Sequence, residues 1–361
     1  MTRQAGTTGA DRPGAARPSP EVVCIGETMT MVTPERAESL QEASRLALHP
    51  GGAESNVAMY LASLGHRAAW VSRVGDDPLG RRIIADVARE GVDTSLVEAD
   101  PSAPTGVYFK DPGAVSTPVY YYRRHSAASR MGPEIADRIW PLRPPVLHVT
   151  GITPALSESC DQLIETVTHP DHRAAGVTVS FDVNFRPALW PSAARAAGRL
   201  RDIAQAADIV FVGMDEARLL WDASTPEEVR EVLGRCAVLV VKEAAAGATA
   251  YHGRARTFVP AIKVNVVEPV GAGDAFAAGW LSGLLREATP AGRLRLGHIA
   301  ASAALRSTAD YAPLPGGQLV PMVLSASDEQ WEAISSGRGM NLYALAGPDT
   351  VDSPRSMEAP E

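Results

Sequence analysis

The chain of 361 residues lacks any run of about 18 apolar residues, so no segment reads as a membrane-spanning helix. It has three cysteines, Cys24, Cys160 and Cys236, widely spaced and odd in number. That excludes a disulfide framework and a zinc knuckle, and points to a reducing, cytoplasmic setting. Cys24 and Cys236 sit in apolar runs and read as buried thiols, whereas the polar surroundings of Cys160 carry no signal. The eight histidines contain no His-Glu-x-x-His pair, which removes the zinc peptidases. Lysine is nearly absent: only Lys110, Lys242 and Lys263, none of them after a glycine, so there is no Walker A loop. The formal net charge is −8, which argues against nucleic acid as the main partner.

Hydrophobic residues make up 45% of the chain and charged residues 21%, enough apolar material for one large packed core. Residues 1–20, rich in Gly, Pro, Ala and Arg, have no apolar leader segment and are expected to be a disordered tail; residues 336–361 read as a second tail. Between them, residues 21–335 alternate short β-branched runs with amphipathic segments. Strands are expected at Val22–Ile25, Ala69–Val74, Val146–Val149, Val177–Phe181, Ile209–Val212 and Val238–Val241. Helices are expected at Ser55–Leu64, Leu79–Glu90, Asp161–Thr168, Ala193–Ala206, Glu227–Arg235 and Asp274–Arg286. This order predicts an α/β fold with a doubly wound, mostly parallel sheet and helices on both faces. Two stretches, about 28–50 and 106–124, are strand-rich without helices and predict a small β-lid; Gly106–Lys110 and Val119–Arg123 form its hairpin.

The strongest local motif is Gly271-Ala272-Gly273-Asp274, which follows a strand-like Val264–Val267 and opens a helix. Glycines at a helix start leave backbone amides uncovered, and with the helix dipole they form an anion site. Asp274 in the first turn reads as a helix cap ahead of a catalytic base, on the motif alone. Phe276 stands where a dinucleotide fingerprint would need its third glycine, so that fingerprint fails.

A second motif, Gly51-Gly52-Ala53-Glu54-Ser55-Asn56, also opens a helix; paired glycines allow close approach of a ligand, and Asn56 offers a donor and an acceptor to hydroxyls. Its bland counterpart is a Gly-Gly turn capped by Ser55. In Asp182-Val183-Asn184-Phe185-Arg186, three polar side chains alternate past a strand end, where open α/β sheets bind ligands; Arg186 suits a carboxylate or phosphate, or a surface ion pair. Tyr120-Tyr121-Tyr122-Arg123-Arg124 gives the lid a cationic, aromatic strand, or an edge strand with charged gatekeepers.

At these residues the chain resembles the ribokinase-like (PfkB) carbohydrate kinases over about residues 21–320. The likeness rests on the Gly-Gly motif at Gly51–Asn56 and the Gly-Ala-Gly-Asp signature at Gly271–Asp274, in that order and separation. Within the family it is similar to the 2-keto-3-deoxygluconate branch, through Tyr121-Tyr122-Arg123, His148–Ser157, Asp182–Arg186 and Pro269-Val270.

The resemblance implies a ribokinase-like fold and transfer of a phosphoryl group from ATP, with Mg²⁺, to a hydroxyl of a sugar acid. Asp274 would be the base and Gly271, Ala272 and Gly273 the anion hole. Gly52, Asn56, Tyr108, Tyr121, Arg123, Arg186 and Asp310 would contact the sugar acid. Asn184, Glu216, Lys242, Gly247 and His298 would face the nucleotide, with Glu216 reaching the metal through water. The family also admits a monovalent cation and a homo-oligomer. Four positions depart from its usual pattern. Gly213 replaces the asparagine of an Asn-x-x-Glu motif ending at Glu216; Glu243 and Ala244 alter the nucleotide loop; Glu268 replaces an aspartate; and His298 stands where asparagine is common. Competing expectations are a fructokinase-like or 5-dehydro-2-deoxygluconate-type kinase, and a sugar-acid sensor without catalysis.

Overall fold

The β-branched runs assemble into one sheet whose parallel strands hide both faces, as expected of parallel strands flanked by helices. The computed structural model describes residues 18–338 except 37, 113–117, 235, 313 and 315–318; most of both expected tails lies outside the described residues. In spatial order the sheet runs Ala68–Val71, Val22–Ile25, Val146–Thr150, Thr178–Asp182, Ile209–Gly213 and Val238–Lys242, all parallel. Gly247–His252 and Ala255–Pro260 complete one edge as an antiparallel hairpin. Period-two alternation divides the core. Val22 and Cys24 face the layer of helices Ala53–Ser63, Ala272–Leu285 and Pro290–Ala304, while Val23 and Ile25 face Glu158–Thr168 and Ala193–Ala206.

The first strand feeds, through Gly26–Thr28, directly into a second sheet: Leu46–Gly51, Met29–Pro34, Val107–Lys110 and Val119–Tyr122. This is the expected lid, and its antiparallel pair sets Tyr108 opposite Tyr121. Met29, Met31 and Tyr108 form its own small core. No helix among the described residues is long and apolar enough to cross a membrane.

Some expectations fail for identifiable reasons. Val264–Val267 is irregular, not a strand; Val266 and Val267 are exposed, so the β-branched run has no apolar surface to cover. The expected strand Ala69–Val74 divides: Ala68–Val71 joins the main sheet, whereas Arg73–Gly75 pairs with Glu98–Asp100 in a separate two-stranded sheet. Cys160 is fully buried, because it lies on the inward face of Glu158–Thr168, while Cys236 is only half-buried.

Candidate active site

The lid and the carboxyl edge of the main sheet enclose a cavity of about 1630 Å³. The residues that the resemblance assigns to catalysis, sugar acid and nucleotide, from Gly52 and Asn56 through Asp274 and His298 to Asp310, all line it, whereas Asp182 does not.

Two helix N-termini meet there. Helix Ala53–Ser63 starts from Gly52 and carries Asn56 on its first turn; helix Ala272–Leu285 starts from Gly271 and carries Asp274. Asn56 Nδ2 donates to Asp274 Oδ2 at 2.9 Å, and Asn184 Nδ2 donates to Oδ1 at 3.2 Å. Both carboxylate oxygens are thus engaged by neutral side-chain amides. The helix itself has no side-chain cap. The cap reading of Asp274 is therefore not what the fold uses. Burial pushes the Asp274 pKa up to about 7, against the opposing effect of the Asn56 bond and the nearby Arg186 and Lys242 charges; Asp182 adds to the rise.

Gly271 adopts φ +85°, and a Cβ there would lie 2.3 Å from the Asp310 carbonyl oxygen, so only glycine fits the turn that opens the helix. At Gly273 the nearest atom to a Cβ would be Lys242 Nζ at 3.4 Å, so the helix start has a cation directly beside it. Lys242 Nζ is held by Asp182 at 2.8 and 3.0 Å. Burial alone would lower its pKa, but the Asp182 and Glu216 carboxylates outweigh it and keep the ammonium charged. Glu216 accepts from Phe185 N at 2.7 Å and from Gly213 N at 2.8 Å. It closes the start of its own helix, Met214–Trp221, and so holds the loop that carries Asn184 and Arg186. That loop breaks the expected alternation: Asn184 sits at φ +37°, sending its amide to Asp274 while Asp182 turns to Lys242.

On the lid side, Gly51 has no Cβ because the Tyr108 hydroxyl would lie 2.1 Å from it. That hydroxyl donates to Asp310 Oδ2 at 2.6 Å, and Lys110 Nζ donates to Oδ1 at 2.5 Å. Tyr121 leans on Tyr108 with ring centroids 5.6 Å apart. Arg123 pairs with the buried Glu27, which also accepts from Ser126 Oγ, and its guanidinium carbon lies 5.8 Å from the Tyr121 ring centre. Arg186 is exposed at the rim and donates to the Phe185 carbonyl.

On the opposite side, Ala244 takes φ +49°, a conformation costly to a residue with a Cβ. Glu243 accepts from Thr249 Oγ1 at 2.6 Å and does not line the cavity. His298 Nε2 meets the Val259 carbonyl at 3.0 Å, and burial lowers its pKa to about 4, leaving a neutral ring packed edge-on to Phe276. Glu268 accepts from Val270 N at 3.3 Å, tying down the approach to Gly271. Among the described residues no three His, Cys, Asp or Glu side chains converge as a metal cage.

Sequence reading missed Glu27 and Lys110. Each supports a residue distant in the chain, and the only local signals were a charge in Gly26-Glu27-Thr28 and one in the lid hairpin.

Comparison with known proteins bears on the family and the fold. The chain is 36% identical over 311 residues to a 2-dehydro-3-deoxygluconokinase of Bacillus subtilis, covering 85% of this chain and 96% of that one. It is 34% identical over 300 residues to a 2-dehydro-3-deoxygalactonokinase of Haloferax volcanii, covering 80% and 91%. A solved structure of a PfkB protein from Polaromonas sp. JS666 superposes with a TM-score of 0.74 at 36% identity, covering 81% of this chain and 97% of that one. Because the pattern of the pfkB family of carbohydrate kinases matches residues 19–316, on the ribokinase-like fold described above, the chain belongs to that family and is a carbohydrate kinase.

Proposed function

We propose that this kinase transfers the γ-phosphoryl group of ATP to the primary hydroxyl of a 2-keto-3-deoxy sugar acid, with 2-keto-3-deoxygluconate as the first candidate. The observation that carries the reading is Asp274: a buried carboxyl held by two neutral amides, in the first turn of a glycine-opened helix, with a pKa near neutrality. Asp274 accepts the hydroxyl proton as the hydroxyl oxygen bonds to phosphorus and the bond to ADP breaks. The amides of Gly271–Gly273 and the Lys242 ammonium stabilise the charge that develops on the transferred group. Tyr108, Tyr121, Arg123 and Arg186 fix the sugar acid, the arginines at its carboxylate. The lid excludes water, which limits hydrolysis of ATP.

Mg²⁺ would neutralise phosphate charge. The donor set fits an ion held mainly by phosphate oxygens and water: both Glu216 oxygens already serve backbone amides, leaving each a second lone pair for a bound water. Glu268, at the position the resemblance links to a monovalent cation, accepts from Val270 N through Oε1.

The test is an assay of the purified chain with ATP and Mg²⁺ against 2-keto-3-deoxygluconate, its galactonate epimer, 5-dehydro-2-deoxygluconate, fructose and ribose, reading ADP release and phosphorylated product. The reading expects the 2-keto-3-deoxy acids to lead. Preference for fructose would replace it with a neutral-sugar kinase, and binding of a sugar acid without turnover would favour a sensor.

A further inference from the structure

We infer that Lys110 is a positioning residue that ties the lid to the phosphate-binding helix start, so that filling the sugar pocket tightens nucleotide binding. The inference deepens the proposed function and rests on it. Lys110 and Tyr108 leave the same lid strand, Val107–Lys110, and between them take both oxygens of one carboxylate, that of Asp310. All three residues are buried. Asp310 is also in contact through its backbone, since its carbonyl oxygen packs against Gly271, 2.3 Å from where a Cβ would stand. Two residues on, Ala312 N donates to the Tyr60 hydroxyl at 2.9 Å, which fixes the same segment to helix Ala53–Ser63.

A displacement of the lid strand therefore moves Asp310, and Asp310 cannot move without pressing on or releasing the residue that opens the anion hole. The same strand carries Tyr108 into the sugar pocket. Lid position and anion-hole geometry are thus coupled by one charged pair, with Tyr108 as its neutral companion. A buried pair of this kind contributes little net stability over an apolar equivalent, but losing one partner strands a charge. Fold stability and coupling must therefore be read separately.

The experiment measures affinity of the full chain for a non-hydrolysable ATP analogue with Mg²⁺ by calorimetry, with and without saturating 2-keto-3-deoxygluconate. It compares wild type, Lys110→Met and Lys110→Arg. Wild type is expected to bind the analogue about tenfold more tightly when the sugar acid is present, and by linkage the reverse holds equally. Lys110→Met should reduce that factor to below about twofold, and Lys110→Arg should restore most of it. An unchanged factor in a folded Lys110→Met protein, or no factor in wild type, overturns the inference. If Lys110→Met does not fold, Tyr108→Phe removes the other bond to Asp310 without stranding a charge and should lower the factor; an unchanged factor there overturns it too. If wild type phosphorylates fructose and not the sugar acid, the substrate reading fails, and the same titrations with fructose still decide the role of Lys110.

Discussion

Asn56 and Asp274, 218 residues apart in the chain, meet through one hydrogen bond of 2.9 Å inside the cavity. The donor is neutral, so it orients the carboxylate without neutralising it and leaves it able to take a proton. Asn184 does the same from the other side. The carboxyl is hard to ionise chiefly because it is buried, with the Asp182 charge adding to the effect.

That burial has a stability consequence with a definite sign. The folded pKa of Asp274 is raised to about 7, whereas an unfolded aspartate titrates near ~3.9. Between these values the folded state holds a proton that the unfolded state has released. The contribution therefore favours folding at low pH and is lost as pH rises from about 4 through about 7. Asp274→Asn removes that loss; the free Oδ1 atoms of Asn56 and Asn184 let their amides flip to suit the new carboxamide. The melting temperature of the variant relative to wild type should climb between pH 5 and pH 8. A flat difference would mean that the carboxyl is not buried in this way.

Arg123 is predicted to bind the substrate carboxylate, but Glu27 complicates the obvious variant. Arg123→Ala should raise KM for the sugar acid by about ten- to a hundredfold, the loss of one charge-assisted bond. It should also lower the melting temperature, because Glu27 is left buried and unpaired. Adding Glu27→Gln should recover stability but not KM. Recovery of both would show that Arg123 serves only the fold.

The nucleotide loop carries its strain at Ala244. Relief of a positive φ is worth about 1–2 kcal/mol, offset in part by the about 0.5–1 kcal/mol entropic cost of glycine. Ala244→Gly should therefore stabilise slightly and lower KM for ATP. Glu243→Arg should do less than charge alone suggests, since Glu243 is drawn away to Thr249. Measuring KM for ATP at saturating sugar acid in both single variants checks this; a larger gain from Glu243→Arg would contradict it.

The order of strands and helices was legible because buried parallel strands are short β-branched runs, and the glycine motifs were legible because a ligand or a turn demands glycine there. Gly51-Gly52 and Gly271–Asp274 come together along the one cavity described above. What stayed hidden was pairing at long range. Lys110 with Asp310, Glu27 with Arg123 and Lys242 with Asp182 are each ordinary charges in sequence, and only the fold brings them together. Asp274 looked like a helix cap because first-turn aspartates commonly are caps, and nothing local says that Asn56 and Asn184 will reach it first. Val264–Val267 misled in the opposite sense: a strand needs a surface to cover as well as a β-branched sequence.

The central claim is that Asp274 is the base of a sugar-acid kinase. Its most direct test is kcat for phosphorylation of 2-keto-3-deoxygluconate at pH 8 by wild type and by Asp274→Asn, both saturated with ATP, Mg²⁺ and sugar acid. At that pH the wild-type carboxyl is mostly ionised, and the variant retains shape without basicity. The account predicts a fall in kcat of about two to four decades in a protein that still folds and still binds both ligands. A folded Asp274→Asn enzyme with near wild-type kcat would contradict it.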